Sequence, residues 1–101
     1  MTEKNVERKL VEGVKKLGGM AYKWVSPGND GVPDRVVVLP NGHVVFVELK
    51  TDKGRLSALQ KRQIARLTKL NASACEVRGA SGVEKFLEHY GKEVEEWRKT
   101  Q

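Results

Sequence analysis

Two carboxylates and an ammonium group are the side chains best placed to do chemistry together in this sequence. Glu48 and Lys50 lie two positions apart at the end of a β-rich run that begins near Val44. Because side chains alternate between the faces of a strand, both lie on one face. Asp34 opens the preceding β-rich run, and Asn41-Gly42 between the two runs is typical of a hairpin turn. A hairpin places the start of one strand beside the end of the next, so we expect Asp34 close to Glu48.

Such a group has the composition needed for metal-assisted hydrolysis of a phosphodiester bond. Mg²⁺ prefers oxygen ligands and often takes one or two carboxylates together with waters and substrate phosphate. The ion makes hydroxide available and stabilises charge on the phosphate oxygens, and a neighbouring lysine can orient the attacking water. On these residues alone, a turn cap at Asp34 and a surface salt bridge between Glu48 and Lys50 are the commoner explanation of so short a pattern.

The elements that position these residues follow the order α-β-β-β-α-β-α, which predicts an α/β fold with a mixed sheet flanked by helices. We predict helices over residues 3–17 and 57–70 and from about 81, and strands over 20–25, 34–39, 43–50 and 74–78. Ser81 and Glu84 have the spacing of a capping box at the third helix. Residues 1–90 are predicted to form a single domain, and the highly charged residues 91–101 a frayed C-terminal extension.

Composition limits the compartment and the partners. The longest uninterrupted apolar runs are four residues, too short for a transmembrane helix, and the charged start is unlike a signal peptide. A single cysteine, Cys75, indicates a reducing cytoplasm and is expected in the core. His43 and His89 are expected at the surface, because neither has a second metal ligand at suitable spacing. The net charge of +6 and pI of about 9.6 favour a polyphosphate partner as much as a merely soluble basic protein.

Two acids of the first helix point toward its apolar side. With Val6 at zero on a helical wheel, Leu10 falls at about 40°, Glu3 at about 60° and Glu7 at about 100°. Either carboxylate needs a partner there, because burying an unpaired charge is costly. In the second helix Gln60 allows two interpretations, a capping box with Ser57 or a polar side chain directed inward.

A longer string of motifs resembles a known family. The string comprises Gly31-Val32-Pro33-Asp34-Arg35, Phe46-Val47-Glu48-Leu49-Lys50, Gly54-Arg55-Leu56-Ser57 with Gln60, Glu7 in the first helix and Gly18-Gly19 at its end. Together these motifs resemble the VRR-NUC (virus-type replication-repair nuclease) domain of the PD-(D/E)XK, restriction-endonuclease-like superfamily, over roughly residues 2–87. The resemblance implies a four-stranded mixed sheet flanked by helices.

The resemblance also implies roles for the site residues. The metal ligands it implies are Glu7, Asp34, Glu48 and the backbone carbonyl of Leu49, with Glu7 preferred over Glu3. The catalytic residues it implies are Asp34, Glu48, Lys50 and Gln60. Lys50 would act on the attacking water, and Gln60 would support the site from the second helix. The implied cofactor is Mg²⁺ or Mn²⁺, without a small-molecule cofactor or a membrane partner.

The expected activity is that of a metal-dependent DNA endonuclease in replication, repair or recombination, in a bacterial cytoplasm. The resemblance implies a phage or prophage setting. A chain of this size is expected to recognise branched DNA or Holliday junctions, as a homodimer. Candidate DNA-binding residues are Lys23, Ser26, Lys53, Arg55, Arg62 and Arg66. The alternatives are a non-catalytic DNA-binding module, since basic residues also bind DNA without cutting it, and a structural subunit of a larger nuclease.

Overall fold

The computed structural model describes residues 1–101 and has the predicted element order. The elements are α1 (Glu3–Lys16), β1 (Met20–Lys23), β2 (Arg35–Val38), β3 (Val44–Lys50), α2 (Ala58–Lys69), β4 (Ser73–Arg78) and α3 (Gly79–Lys99). The strands form one mixed sheet in the order β1-β2-β3-β4. Strands β1 and β3 are each antiparallel to β2, and β3 and β4 are parallel. The predicted fold class, a four-stranded mixed sheet flanked by helices, is therefore confirmed.

The central hairpin forms where the sequence predicts it. Val38 lies opposite Val44, and the chain reverses through Asn41 and Gly42. Gly42 has a φ of 86°, a left-handed conformation that glycine adopts without steric cost. The pairing brings the beginning of β2 beside the end of β3, as the chemistry of Asp34 and Glu48 requires.

Alternation along β3 divides its side chains between a hydrophobic core and the functional face. Val45, Val47 and Leu49 are fully buried in the core cluster. The same cluster contains residues of α1 (Val6, Leu10 and Val14) and of α3 (Val83, Phe86 and Val94). Phe46, Glu48 and Lys50 point to the opposite face of the sheet. The buried valines and leucine therefore anchor the strand that carries Glu48 and Lys50.

The C-terminal residues differ from the prediction of a frayed extension. Helix α3 continues to Lys99, and Val94 is only 1% exposed within the core cluster. Val83, Phe86, Tyr90 and Val94 recur at helical spacing, and the many charges between them lie on the solvent side. Residues 91–99 are therefore part of the folded unit.

The third helix also begins earlier than predicted. Its first residue is Gly79 and its N-cap is Arg78, which makes no side-chain capping bond. The predicted capping box of Ser81 and Glu84 is therefore wrong. Glu84 instead pairs with Lys9 of α1 at 3.0 Å, so its carboxylate joins two helices rather than capping one.

His43 is less exposed than expected. Its Nδ1 lies 2.7 Å from Glu93 Oε2 and its Nε2 lies 2.8 Å from Ser73 Oγ. The Asn41 side-chain amide also donates to Glu93. Burial alone would raise the pKa of Glu93, but the hydrogen bonds from Asn41 and His43 and the charges of His43 and His89 lower that pKa overall. These hydrogen bonds thus connect the hairpin turn to α3. The turn lies at the start of β3, whereas Glu48 and Lys50 lie at its end.

Cys75 and His89 differ in burial. Cys75 is half-buried on β4, and burial raises the pKa of its thiol to about 11, so it is poorly suited to act as a nucleophile. His89 is exposed on α3, as predicted. No helix has the length and apolar character needed to cross a membrane.

Candidate active site

Asp34 and Glu48 meet at the end of the hairpin. Arg35 pairs with Val47 in the β2–β3 register, which sets Asp34 beside Glu48. The Leu49 peptide N–H donates to Asp34 Oδ2 at 2.9 Å, and this bond fixes the orientation of the Asp34 carboxylate. Carboxylate oxygens of Glu3, Asp34 and Glu48 all lie within 4.8 Å of one another. Three acids, from α1, from the residue before β2 and from β3, therefore converge on one small volume.

Glu48 is the most constrained of these acids. It is only 1% exposed, and its Oε2 accepts a hydrogen bond from Gln60 Nε2 at 3.1 Å. Its Oε1 is buried without any hydrogen-bond partner. Burial, reinforced by the negative charge of Asp34, raises the pKa of Glu48 to about 8, against a smaller opposing effect of Lys50. A buried carboxylate in this setting is costly unless a cation lies beside it.

These features fit a hard divalent cation. The donor set consists entirely of carboxylate oxygens, which Mg²⁺ and Mn²⁺ prefer. The unpartnered Oε1 of Glu48 has a free lone pair, and the mutual repulsion of Glu3, Asp34 and Glu48 would be relieved by a positive charge. The Leu49 backbone runs beside the same acids, because its N–H binds Asp34.

Lys50 lies next to the acids on the same face of β3. Its Nζ is 3.7 Å from Glu48 Oε2, and its side chain is 14% exposed. The contact is long for a hydrogen bond, so the ammonium retains donors for another partner. An ammonium held near buried carboxylates at an accessible surface is suited to bind water or a phosphate oxygen.

The first helix contributes Glu3 rather than Glu7 to the acidic cluster. Glu7 instead pairs with Arg35 Nη2 at 3.1 Å, and Arg35 Nη1 donates to the Ala21 carbonyl. On the helical wheel both acids point toward the apolar side of α1, so direction around the helix alone does not separate them. Of the two alternatives, the geometry favours Glu3 as the third acid.

Gln60 makes both of the predicted interactions, the capping box with Ser57 and an inward hydrogen bond. Its Oε1 accepts from the Ser57 N–H at 2.9 Å, and the Ser57 hydroxyl accepts from the Gln60 N–H, forming a capping box. Its Nε2 simultaneously donates to Glu48. The start of α2 is thereby tied to the buried acid. Gln63, one turn later, donates to the Asp30 carbonyl and ties α2 to the loop before Asp34.

The candidate DNA-binding residues lie on several elements and are mostly exposed. Lys53 and Arg55 lie in the loop after β3, Arg62 and Arg66 on α2, and Lys23 at the end of β1, and all five are exposed. Ser26 is half-buried and accepts a hydrogen bond from Asn29 within its own turn. Lys53 and Arg55 thus follow Lys50 closely along the chain, whereas the Ser26 hydroxyl is engaged within its own turn.

The fold and this site together define a restriction-endonuclease-like protein, in which a hairpin of a mixed sheet presents two acids and a lysine. The VRR-NUC domain matches residues 3–81, and the chain belongs to the VRR-NUC family. The predicted family is therefore confirmed.

Two individual comparisons agree with this assignment. The chain is 52% identical over 65 residues to the protein named "Putative nuclease p44" of Acyrthosiphon pisum secondary endosymbiont phage 1, covering 64% of this chain and 70% of that protein. A solved structure described as a VRR_NUC domain is similar with a TM-score of 0.82 and 34% sequence identity, covering 87% of this chain and 96% of that one. Both relatives place the chain among nuclease domains.

Separate substitutions of Glu3 and Glu7 distinguish their roles. We expect Glu3→Gln to weaken Mn²⁺ binding by about 10-fold to 100-fold, because it removes a charged oxygen from the acidic cluster. Glu7→Gln should change Mn²⁺ affinity by less than about 3-fold, since the Glu7 carboxylate is engaged by Arg35. Isothermal titration of both variants measures this difference. A larger loss of affinity in Glu7→Gln would restore Glu7 as the ligand.

Proposed function

We propose that this protein is a Mg²⁺- or Mn²⁺-dependent endonuclease that hydrolyses phosphodiester bonds of DNA. The observation that carries the proposal is the buried Glu48 carboxyl group. Its Oε1 has no hydrogen-bond partner, its carboxylate lies within 4.8 Å of those of Asp34 and Glu3, and its Oε2 lies 3.7 Å from the Lys50 ammonium. A purely structural carboxylate would have its oxygens satisfied within the protein. Family membership supports the same class of reaction.

Each residue of the site has a distinct task in this mechanism. Asp34 and Glu48 would hold the metal, with Glu3 and the Leu49 carbonyl completing the protein ligands. When bound, the ion supplies Lewis acidity at the scissile phosphate and acidity to water. Lys50 orients the attacking water through its free N–H donors and balances negative charge in the transition state. Gln60 keeps the Glu48 carboxylate from rotating, because its amide binds Oε2.

The basic surface supports a nucleic-acid substrate. The exposed cations Lys53, Arg55, Arg62 and Arg66, together with Lys23, would neutralise backbone phosphates around the acids, and Ser26 would approach DNA from its loop. We assign selectivity for branched DNA or Holliday junctions to a homodimer that pairs two such sites. Side chains available for its interface include Met20, Tyr22 and Val44, which are 47%, 54% and 38% exposed. A phage relative supports a role in phage or prophage DNA metabolism within bacterial cytoplasm.

A cleavage assay tests this function. End-labelled four-way junction, flap, linear duplex and single-stranded DNA are incubated with Mg²⁺, with Mn²⁺ or with chelator, and the natural protein is compared with Lys50→Ala. We expect metal-dependent cutting that is lost in the variant, with symmetric cuts at the junction. Binding of DNA without cutting in any metal would identify a non-catalytic module, or a subunit that requires a partner.

A further inference from the structure

The loop that follows β3, residues 51–56, has little structure of its own. It contains one backbone–backbone hydrogen bond, from the Gly54 N–H to the Thr51 carbonyl at 3.1 Å. It begins directly after Lys50 and carries the exposed cations Lys53 and Arg55. A loop with so few internal bonds must be held in place by contacts with other elements.

Those contacts come from Arg78, the last residue of β4. Arg78 lies opposite Lys50 in the parallel β3–β4 register. Its Nη1 donates to the Thr51 carbonyl at 3.2 Å, to the Asp52 carbonyl at 3.5 Å and to the Gly54 carbonyl. One guanidinium nitrogen, with two N–H donors, therefore lies within hydrogen-bond distance of three carbonyls of the same loop.

Glu76 fixes the orientation of this guanidinium. Its Oε1 accepts from Arg78 Nε at 2.7 Å and also contacts Arg78 Nη2. The planar fork of an arginine can satisfy a carboxylate on one side and carbonyls on the other, which an ammonium cannot do in fixed geometry. The next residue, Gly79, has a φ of 63°, and the Asp52 carboxylate occupies the space that a Cβ would need there. The loop is thus held from two adjacent positions.

The loop in turn contacts the side chain of Lys50. A Cβ placed on Gly54 would lie 3.3 Å from Lys50 Cδ, so the aliphatic part of the lysine lies directly beside the Gly54 position. The Lys50 side chain is 14% exposed and makes only a 3.7 Å contact with Glu48 at its charged end. Its ammonium position therefore depends on the packing around its methylene groups, to which Gly54 contributes.

We propose that Arg78 is a positioning residue of the nuclease site, which acts through loop 51–54 to hold the Lys50 ammonium beside Glu48. This inference rests on the proposed function, since it assigns Lys50 a task in cleavage. The hydrogen bonds of Arg78 go to Glu76 and to the loop rather than to Glu3, Asp34 or Glu48. Its contribution is to keep Gly54 against Lys50.

The variant Arg78→Lys tests the proposal. It keeps the positive charge and a partner for Glu76 but loses the donors that bind the carbonyls. We expect kcat for metal-dependent DNA cleavage to fall by about 10-fold with KM changed less than about 2-fold, because misplacement by a fraction of an ångström affects the reacting group rather than DNA binding. Limited trypsin digestion at Lys53 and Arg55 should accelerate several-fold, with the cooperative thermal transition retained.

Arg98→Lys is the matched control, because Arg98 also donates to a backbone carbonyl, that of Leu17, but lies at the end of α3. It should change neither kcat nor digestion within the loop. Glu76→Gln provides a second variant that retains Arg78 and should produce a smaller loss in the same direction.

Three results would overturn the proposal. Unchanged digestion at Lys53 and Arg55 would show that Arg78 does not hold the loop. A loosened loop with normal kcat, or with only KM raised, would show that the loop does not position Lys50. If the natural protein cut no DNA with any metal, the proposed function would fail along with the role of Lys50, while the digestion rates would still report separately on the contact between Arg78 and the loop.

Discussion

Replacing Asp34 by asparagine is expected to lower the rate of metal-dependent DNA cleavage by about 10³-fold. Loss of a charged ligand removes several kcal/mol of transition-state stabilisation, and each 1.36 kcal/mol corresponds to about a tenfold change in rate. The amide oxygen of asparagine can still accept the Leu49 N–H that Asp34 Oδ2 binds. The fold should therefore be retained, as measured by thermal unfolding alongside single-turnover cleavage in Mn²⁺.

The corresponding change at Lys50 should have a similar effect by a different route. Lys50→Ala removes the ammonium beside Glu48, so cleavage should be abolished while Mn²⁺ still binds. Lys16→Ala is the control, because Lys16 is an exposed lysine at the end of α1 remote from Glu3. Full metal-dependent activity in Asp34→Asn or in Lys50→Ala would show that the active site has been assigned to the wrong residues.

Glu48→Gln is expected to stabilise the metal-free protein while it abolishes cleavage. Folding raises the pKa of Glu48 to about 8, so its protonated form favours the native state. This contribution is fully present below the carboxyl's ordinary pKa of 4.5 and is lost as pH rises through about 8. Glutamine remains neutral and keeps an oxygen for Gln60. We expect a gain of a few kcal/mol in the free energy of unfolding at pH 8, and little gain at pH 5.

Denaturant unfolding with chelator at pH 5 and pH 8 measures this difference. Glu12→Gln, at an exposed position of α1, is the control and should leave both values unchanged. If Glu48→Gln destabilised the metal-free protein equally at both pH values, the Glu48 carboxylate would be a satisfied structural group rather than a strained functional one. A variant that gains stability and loses activity in this way is common where a functional site is strained in the absence of its ligand.

The central hairpin and its two acids could be predicted because their determinants are local. Asn41-Gly42 sets the turn, and alternation along β3 decides that Glu48 and Lys50 share a face. These two rules also predict that Asp34 is adjacent to Glu48, without knowledge of the rest of the chain.

The choice between Glu3 and Glu7 required tertiary information. A helical wheel gives the direction of a side chain around α1 but not which turn of the helix lies over the end of β3. The family pattern favoured Glu7, and only the Arg35 pairing shows that this carboxylate is otherwise engaged.

Other features depend on contacts between residues distant in sequence. The bonds of Arg78 to the loop after β3, and of Glu93 to His43, join residues that no local period relates. The C-terminal end of α3 is hard to predict for another reason, because many charged residues surround the buried Val94. The high charge of residues 91–101 favours a frayed segment, although apolar residues continue there at helical spacing.

Locating the metal ion is the most direct test of the proposed nuclease site. Crystals of the protein soaked in Mn²⁺ and measured by anomalous diffraction would show where the ion binds. We expect one anomalous peak in contact with the Asp34 and Glu48 carboxylates, next to the Glu48 Oε1, which lacks a protein partner. A fully occupied peak elsewhere, for example at His43 and Glu93, with none between Asp34 and Glu48, would contradict the assignment of this site as the metal centre of a nuclease.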